Sequence, residues 1–411
     1  MGHQEPNIHV LDNGIRLVYL KDEVSVAHLG VTILAGSRFE KKGEEGLAHF
    51  LEHCIFKGTS KRRAYHVLSR IDSVGGELNA FTSKEEMCIY ASFSQEHFMR
   101  SAELLADITF NPVFPEKEIS KEKTVVLDEI NSYLDSPSDK IFDDFENYMF
   151  PDNSLGNNIL GTPETVMSFS SLDLKRFVST FFYPENMVLS FVGNISEKKV
   201  LKKLNQYFGV IQRQGKQELP KPVKEYKPFE ITSFESNYQE HILIGGLAPG
   251  FDDQERRIMT LLTNMLGGPA LNSRLGLALR EKYGYAYNVE ASYTPYQELG
   301  YWSVYAGTDS AHTKKALKVI YKELHRFCKE KLTTTQLNRA KTQLKGHLAL
   351  AMDNNSGKML SFGKSLLIFN QIDTLEEIHA AIDEITSEDI QQMACKYFDK
   401  EKISTLLFRI K

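Results

Sequence analysis

Residues 43–60 read GEEGLAHFLEHCIFKGTS and carry the densest chemistry in the chain. Leu47, Phe50, Leu51 and Ile55 recur at the spacing of a helix with one buried face. On such a helix His49 and His53, four apart, lie one turn from each other, so their rings can converge. Glu52 borders the same face. Two imidazoles and a carboxylate on one helix suit a catalytic zinc site in which the carboxylate is the general base. The order His-x-x-Glu-His inverts the commoner His-Glu-x-x-His, and either order leaves the imidazoles a turn apart. A catalytic zinc takes a third protein ligand. Residues 121–133 (KEKTVVLDEINSY) predict a second helix, with Glu122 and Glu129 seven apart and so on one face. Val125 and Val126 between them predict that this face packs inward, where two carboxylates are costly unless a cation meets them. Asp128 competes as a ligand but points off that face. A histidine pair at this spacing is more often structural than metallic. Glu52 and the downstream carboxylates tip the reading toward a metal site.

These helices need a frame, and the chain shows one twice. Residues 8–20 (IHVLDNGIRLVYL) read as a hairpin turning at Asp12-Asn13-Gly14. A strand at 27–35 and a helix follow. In the later half, 241–247 (HILIGGL) reads as a strand and 255–266 as a helix. Helices at 96–110 and 312–327 correspond. So do the helical stretches 164–182 and 377–398, each followed by a strand, at 186–192 and 403–408. Ser-Leu-Asp at 171–173 and Thr-Ser-Glu-Asp at 386–389 predict a cap before the second helix of each stretch. The offset is about 213–217 residues throughout. The fold class expected is α+β, as two duplicated domains of mixed or antiparallel sheet flanked by helices. Residues 212–228 (QRQGKQELPKPVKEYKP) are polar, proline-rich and aperiodic, which suits a linker. The domains expected are therefore 1–211, carrying the metal site, and 229–411.

Composition narrows the function. The chain has 411 residues, enough for two or three domains, and 42% hydrophobic residues, ordinary for a globular protein. A net charge of −5 argues against a nucleic-acid binder. Cys54, Cys88, Cys328 and Cys395 form no CxxC pair, which argues against a disulfide framework or a four-cysteine metal site and for a reducing compartment. The start, MGHQEP, has no cationic and apolar leader, and Pro6 removes the myristoylation pattern. No apolar run is long enough to cross a membrane. The expected setting is cytoplasmic, with no membrane partner.

His49-Phe50-Leu51-Glu52-His53, with Glu129 downstream, resembles the M16 (pitrilysin/insulinase-like) zinc metallopeptidase family. The flanks agree with its bacterial processing-peptidase-like (M16B) branch: Leu34-Ala35-Gly36-Ser37-Arg38, Gly46-Leu47-Ala48, Phe56-Lys57-Gly58-Thr59, and Gly75-Gly76-Glu77-Leu78-Asn79-Ala80-Phe81-Thr82-Ser83. The resemblance covers nearly the whole chain. It implies a LuxS/MPP-like metallohydrolase fold forming half of a clamshell. His49, His53 and Glu129 would hold one Zn²⁺ per chain, Glu52 would be the base, and Glu122 would steady a ligand. Asn79, Ala80, Phe81 and Thr82 would lie on the edge strand where substrate docks. Residues 280–289 (REKYGYAYNV) resemble the family's Arg/Tyr segment, so Arg280 and Tyr287 would contact substrate and the developing oxyanion. Tyr285 and Asn288 stand where close relatives often carry Leu and Ser, which bears on side-chain preference.

By the repeat offset, Asn264-Met265-Leu266-Gly267-Gly268 stands opposite the His-x-x-Glu-His segment and carries no imidazole or carboxylate. The second domain would be an inactive copy that carries the Arg/Tyr motif. A closed chamber then needs a second subunit, and the expectation is a homodimer whose sites are completed in trans. The function expected is a zinc-dependent endopeptidase for extended or unfolded peptides. Two alternatives stand: an inert family member serving as a partner subunit, and a zinc hydrolase of non-peptide amides. The family's intact ligand set argues against the first.

Overall fold

The computed structural model describes residues 5–215, 220–236 and 238–411. Residues 1–4, part of the leader-free start expected from the sequence, and 216–219, within the expected linker at 212–228, lie outside the described residues. The described part of 211–229 forms neither helix nor strand.

The chain divides into two compact units, each assembled from three stretches. Unit 1 comprises residues 1–131, 157–221 and 350–372; unit 2 comprises 132–156, 222–349 and 373–411.

Unit 1 is built on a six-stranded sheet. Its strands are β1 (Asn7–Val10), β2 (Arg16–Lys21), β3 (Val26–Ile33), β4 (Glu77–Thr82), β5 (Met87–Ser94) and β6 (Met187–Gly193), in the order β1-β2-β6-β3-β5-β4. Only β2 and β6 are parallel. The expected hairpin is β1–β2, with Gly14 at a φ of 94° in its turn. Side chains alternate across the sheet. Leu17, Tyr19, Leu189 and Phe191 enter the main core, while Val18, Leu20, Val188 and Val192 enter a second core on the other face. Both faces are covered, so β6 is buried at every position rather than at alternate ones. The main core is capped by α1 (Leu47–Cys54), α2 (Ala64–Asp72), α3 (Phe98–Phe110) and α4 (Glu116–Leu134).

Unit 2 repeats the plan with β7 (Glu230–Glu235), β8 (Glu240–Ala248), β9 (Ala286–Pro295), β10 (Gly300–Thr308) and β11 (Ser404–Ile410), in the order β7-β11-β8-β10-β9. Here β7 and β11 are parallel, as β2 and β6 are, and the other pairs are antiparallel. Strand for strand this matches β2-β6-β3-β5-β4, the topological form of the duplication read in the sequence.

The remaining helices are α5 (Pro137–Met149), α6 (Pro163–Ser168), α7 (Ser171–Phe181), α8 (Glu197–Tyr207), α9 (Arg256–Gly267), α10 (Thr313–Lys329), α11 (Thr334–Ala351), α12 (Asn355–Phe369), α13 (Leu375–Glu384) and α14 (Ser387–Tyr397). Capping boxes start α14 (Thr386 with Asp389), where the sequence predicts a cap, and α7 (Ser170 with Asp173), one residue before the predicted Ser171.

Two helices not apparent from the sequence cover the outer sheet faces, and each joins the unit of the other half. α5 belongs to unit 2, where Ile141, Phe145 and Met149 pack with Leu243, Leu406 and Phe408. α12 belongs to unit 1, where Met359, Phe362 and Leu366 pack on Val18, Val188 and Val192. Burying those three α12 side chains contributes roughly 5–9 kcal/mol before entropy is counted. The approach is close: a Cβ at Gly363 would fall 2.4 Å from Thr32 Oγ1. Among the described residues no helix is long and apolar enough to cross a membrane.

Candidate active site

α1 carries the His-x-x-Glu-His segment and is buried on nearly every side: Leu47, Ala48, His49, Phe50, Leu51 and Cys54 are all buried. A short helix so enclosed must have its first amides satisfied internally. Its N-cap, Gly46, has a φ of 92° and no side chain to offer, and a Cβ there would meet Leu160 O at 2.5 Å. Glu40 does the capping from outside the helix. Its Oε2 accepts from Gly46 N–H (3.0 Å) and its Oε1 from Ala48 N–H (2.7 Å). Burial raises the Glu40 carboxyl well above the usual carboxylate range, and the two amides oppose that rise.

α1 presents His49 and His53 with ring centroids 4.7 Å apart. α4 brings Glu129 to them. Glu129 Oε2 lies 3.3 Å from His53 Nε2 and 3.7 Å from His49 Nε2. The ligand atoms of His49, His53 and Glu129 all lie within 4.8 Å of one another, the one such His/Cys/Asp/Glu group among the described residues. Zinc at about 2.0–2.1 Å from N and O ligands sets a tetrahedron edge of roughly 3.3–3.4 Å. An N–H···O hydrogen bond is shorter, about 2.7–3.2 Å. Both separations exceed a direct hydrogen bond, and the 3.3 Å one matches the tetrahedron edge. His49 fits this chemistry: burial, and then the neighbouring His53, lower its pKa from 6.5 to about 4, which keeps it a neutral, lone-pair-bearing imidazole.

α4 does not lie as its spacing suggests. Its buried stripe is Ile119, Glu122, Val126 and Ile130, so Val125 is 48% exposed rather than packed inward. Glu122 falls within the stripe and Glu129 beside it, which gives the two carboxylates different neighbours. Glu122 Oε2 is 3.2 Å from His53 Nδ1, and Glu122 Oε1 is 2.6 Å from Lys57 Nζ. Asp128 is exposed and outside the cluster.

Glu52 is half-buried beside Thr82, His53 and Glu129. Burial raises its pKa; contacts with Thr82 and the charge of His53 lower it again, and Glu129 adds to the rise. Thr82 ends β4, against which α1 packs. β4 is the last strand of its sheet, paired only with β5, with Asn79 opposite Tyr90 and Ala80 opposite Ile89. Asn79 is exposed, and Ala80, Phe81 and Thr82 are half-buried.

Arg280 and Tyr287 belong to unit 2. Arg280 sits in a π-helical stretch, Gly276–Lys282, where its Nε donates to Glu281 Oε1 at 2.9 Å. Tyr287 is on β9, the terminal strand of the second sheet, and is 84% exposed. Residues 264–268, at the end of α9, carry no imidazole or carboxylate; Gly267 and Gly268 instead line a cavity of about 410 Å³ with Arg280 and Glu290.

Two residues that touch this machinery escape sequence reasoning, Glu40 and Lys57. Glu40 lies upstream of the cap position, so no capping-box pattern marks it. Lys57 follows the helix end, and its spacing from His53 gave no hint of Glu122.

Comparison with known proteins agrees along the whole chain. Residues 16–163 match insulinase (peptidase family M16), and residues 168–344 match the peptidase M16 inactive domain. The uncharacterized zinc protease YmxG of Bacillus subtilis is 34% identical over 404 residues, 97% of each chain. The mitochondrial-processing peptidase subunit beta of Bos taurus is 28% identical, over 96% of this chain and 83% of that one. A protease from Helicobacter pylori shares the fold at a TM-score of 0.92, with 21% identity, covering 98% of this chain and 99% of that one. Matched by the two M16 domains over most of its length, and by a zinc protease over nearly all of it, this chain belongs to peptidase family M16.

Proposed function

We propose that this chain is a zinc-dependent endopeptidase that cuts extended peptides, with His49, His53 and Glu129 as ligands and Glu52 as general base. The observation that carries this is the position of Glu129 Oε2, 3.3 Å from His53 Nε2, the edge length of a zinc tetrahedron, and 3.7 Å from His49 Nε2. Zinc held there supplies a Lewis acid that polarises a carbonyl and acidifies water. Glu52 takes a proton from the attacking water and passes it to the leaving amine, a task helped by the burial that raises its pKa. β4 ends its sheet, so alternate residues of Asn79, Ala80, Phe81 and Thr82 turn their backbone groups to its open side, where a peptide would add as a further strand. Such binding reads backbone more than sequence and favours broad specificity.

On this reading the first domain is catalytic and the second is an inactive copy whose Arg280 and Tyr287 serve a second chain. The exposure of Tyr287 leaves its hydroxyl available to an incoming substrate. Two identical chains then complete each other's sites, each steadying the oxyanion that develops in its partner. The test is hydrolysis of a quenched peptide library, with metal content measured before and after chelation and after zinc is restored. A zinc-loaded protein that cuts no peptide would end the proposal in favour of an inert partner subunit.

A further inference from the structure

The loop after α1 is anchored by contacts on both sides of Lys57. Lys57 N–H donates to Cys54 O (3.0 Å), closing the end of the helix. Two residues on, Thr59 Oγ1 donates to Asp107 Oδ2 (2.7 Å). Arg62 pairs with the same carboxylate and makes a bidentate contact with Glu103 at 2.7 and 2.8 Å. The Asp107 side chain is 1% exposed, so this anchor lies inside the protein on α3. Lys57 therefore projects from a stretch fixed at both ends.

From that mount its ammonium meets Glu122 Oε1 at 2.6 Å, with only 23% of the lysine and 10% of the glutamate side chain exposed. The other oxygen of Glu122 faces His53 Nδ1 at 3.2 Å. The three groups form a line, Lys57–Glu122–His53, that ends on the ring nitrogen opposite the one facing Glu129. We propose that Lys57 is a positioning residue for the metal centre. A carboxylate with one partner can turn about its terminal torsion, and a second, charge-assisted partner stops it. A carboxylate oxygen accepts, so a hydrogen bond to it places the hydrogen on His53 Nδ1 and leaves the Nε2 lone pair toward Glu129. His49 has no matching support: its Nδ1 is buried without a hydrogen-bond partner among the described residues. Among the described residues, the protein hydrogen bond that orients this pair runs through Glu122 and Lys57.

The inference rests on reading His53 as a metal ligand, so the test uses cobalt(II), whose visible absorption reports ligand geometry without any need for activity. The full chain and its K57M, E122Q and K57M/E122Q variants are titrated with cobalt after metal-free thermal unfolding has shown each to be folded. K57M is expected to weaken cobalt binding about 10–100-fold, with altered visible bands. E122Q should do the same, and the double variant should be no worse than E122Q alone, because Lys57 acts through Glu122. Should K57M not fold, K57Q, of similar length and neutral, is read in the same way. Wild-type affinity and spectrum in the Lys57 variant, or additive losses in the double variant, would overturn the role of Lys57 and leave the metal site standing. A wild-type chain that binds no cobalt overturns both.

Discussion

Glu129→Gln is the sharpest single change, because glutamine keeps the shape of the side chain while removing its charge and replacing one carboxylate oxygen with an amide NH2. Glu129 Oε2 stands within 3.7 Å of both Nε2 atoms, while Glu122 reaches only the far nitrogen of His53 and Asp128 reaches neither. Changes to groups that only orient a ligand cost about 10–100-fold in metal affinity, roughly 1.4–2.7 kcal/mol. Losing a ligand itself must cost more. Glu129→Gln should therefore raise the zinc dissociation constant by more than about 100-fold, Glu122→Gln should fall within the 10–100-fold range, and Asp128→Asn should leave it unchanged. Competition against a chromophoric chelator at fixed pH measures all three. If Asp128→Asn strips the metal while Glu129→Gln retains it, the ligand assignment on α4 is wrong.

Glu52→Gln should keep its zinc and lose on the order of 10²–10⁴ in turnover; near-normal turnover in a zinc-loaded variant rules out Glu52 as the base. Mixing Glu52→Gln chains with Tyr287→Phe chains should recover up to half the normal activity per dimer, since one complete site forms in each mixed pair; no recovery despite proven subunit exchange, or an active monomer, refutes sites shared in trans. The metal-free protein should lose stability in acid because folding holds His49 neutral: its pKa falls from 6.5 to about 4. That contribution is fully present above pH 6.5 and disappears as the pH falls toward 4, worth on the order of 3 kcal/mol. Denaturant unfolding of wild type and His49→Asn should show the steeper acid loss in wild type, and equal slopes would contradict the assignment. Gly363→Ala puts a Cβ 2.4 Å from Thr32 Oγ1 and 3.2 Å from Ser190 Oγ. It should destabilise the protein by about 1–3 kcal/mol, read from the denaturation midpoint, although alanine is the better helix former.

What the amino-acid sequence determined by itself is local. The period of Leu47, Phe50, Leu51 and Ile55 sets a helix, and that helix alone puts His49 and His53 a turn apart. The β1–β2 hairpin and the caps at Ser170 and Thr386 are equally local, since a turn or a capping box is complete within four residues. The duplication is legible because two copies of one pattern confirm each other. Tertiary structure decided the rest. Glu122 and Glu129 are equivalent in spacing; only the way α4 lies against α1 gives one to His53 Nδ1 and Lys57 and the other to both Nε2 atoms. Glu40 reaches the start of α1 through a bend that no period encodes. The apolar face of α12, Met359, Phe362 and Leu366, looks the same whichever sheet it covers, because hydrophobic burial has no direction. What sends α12 to the first sheet is shape: Gly363 fits against Thr32 and Ser190, and Gly30 against Met359, contacts between residues far apart in the chain that exist only once both surfaces are folded.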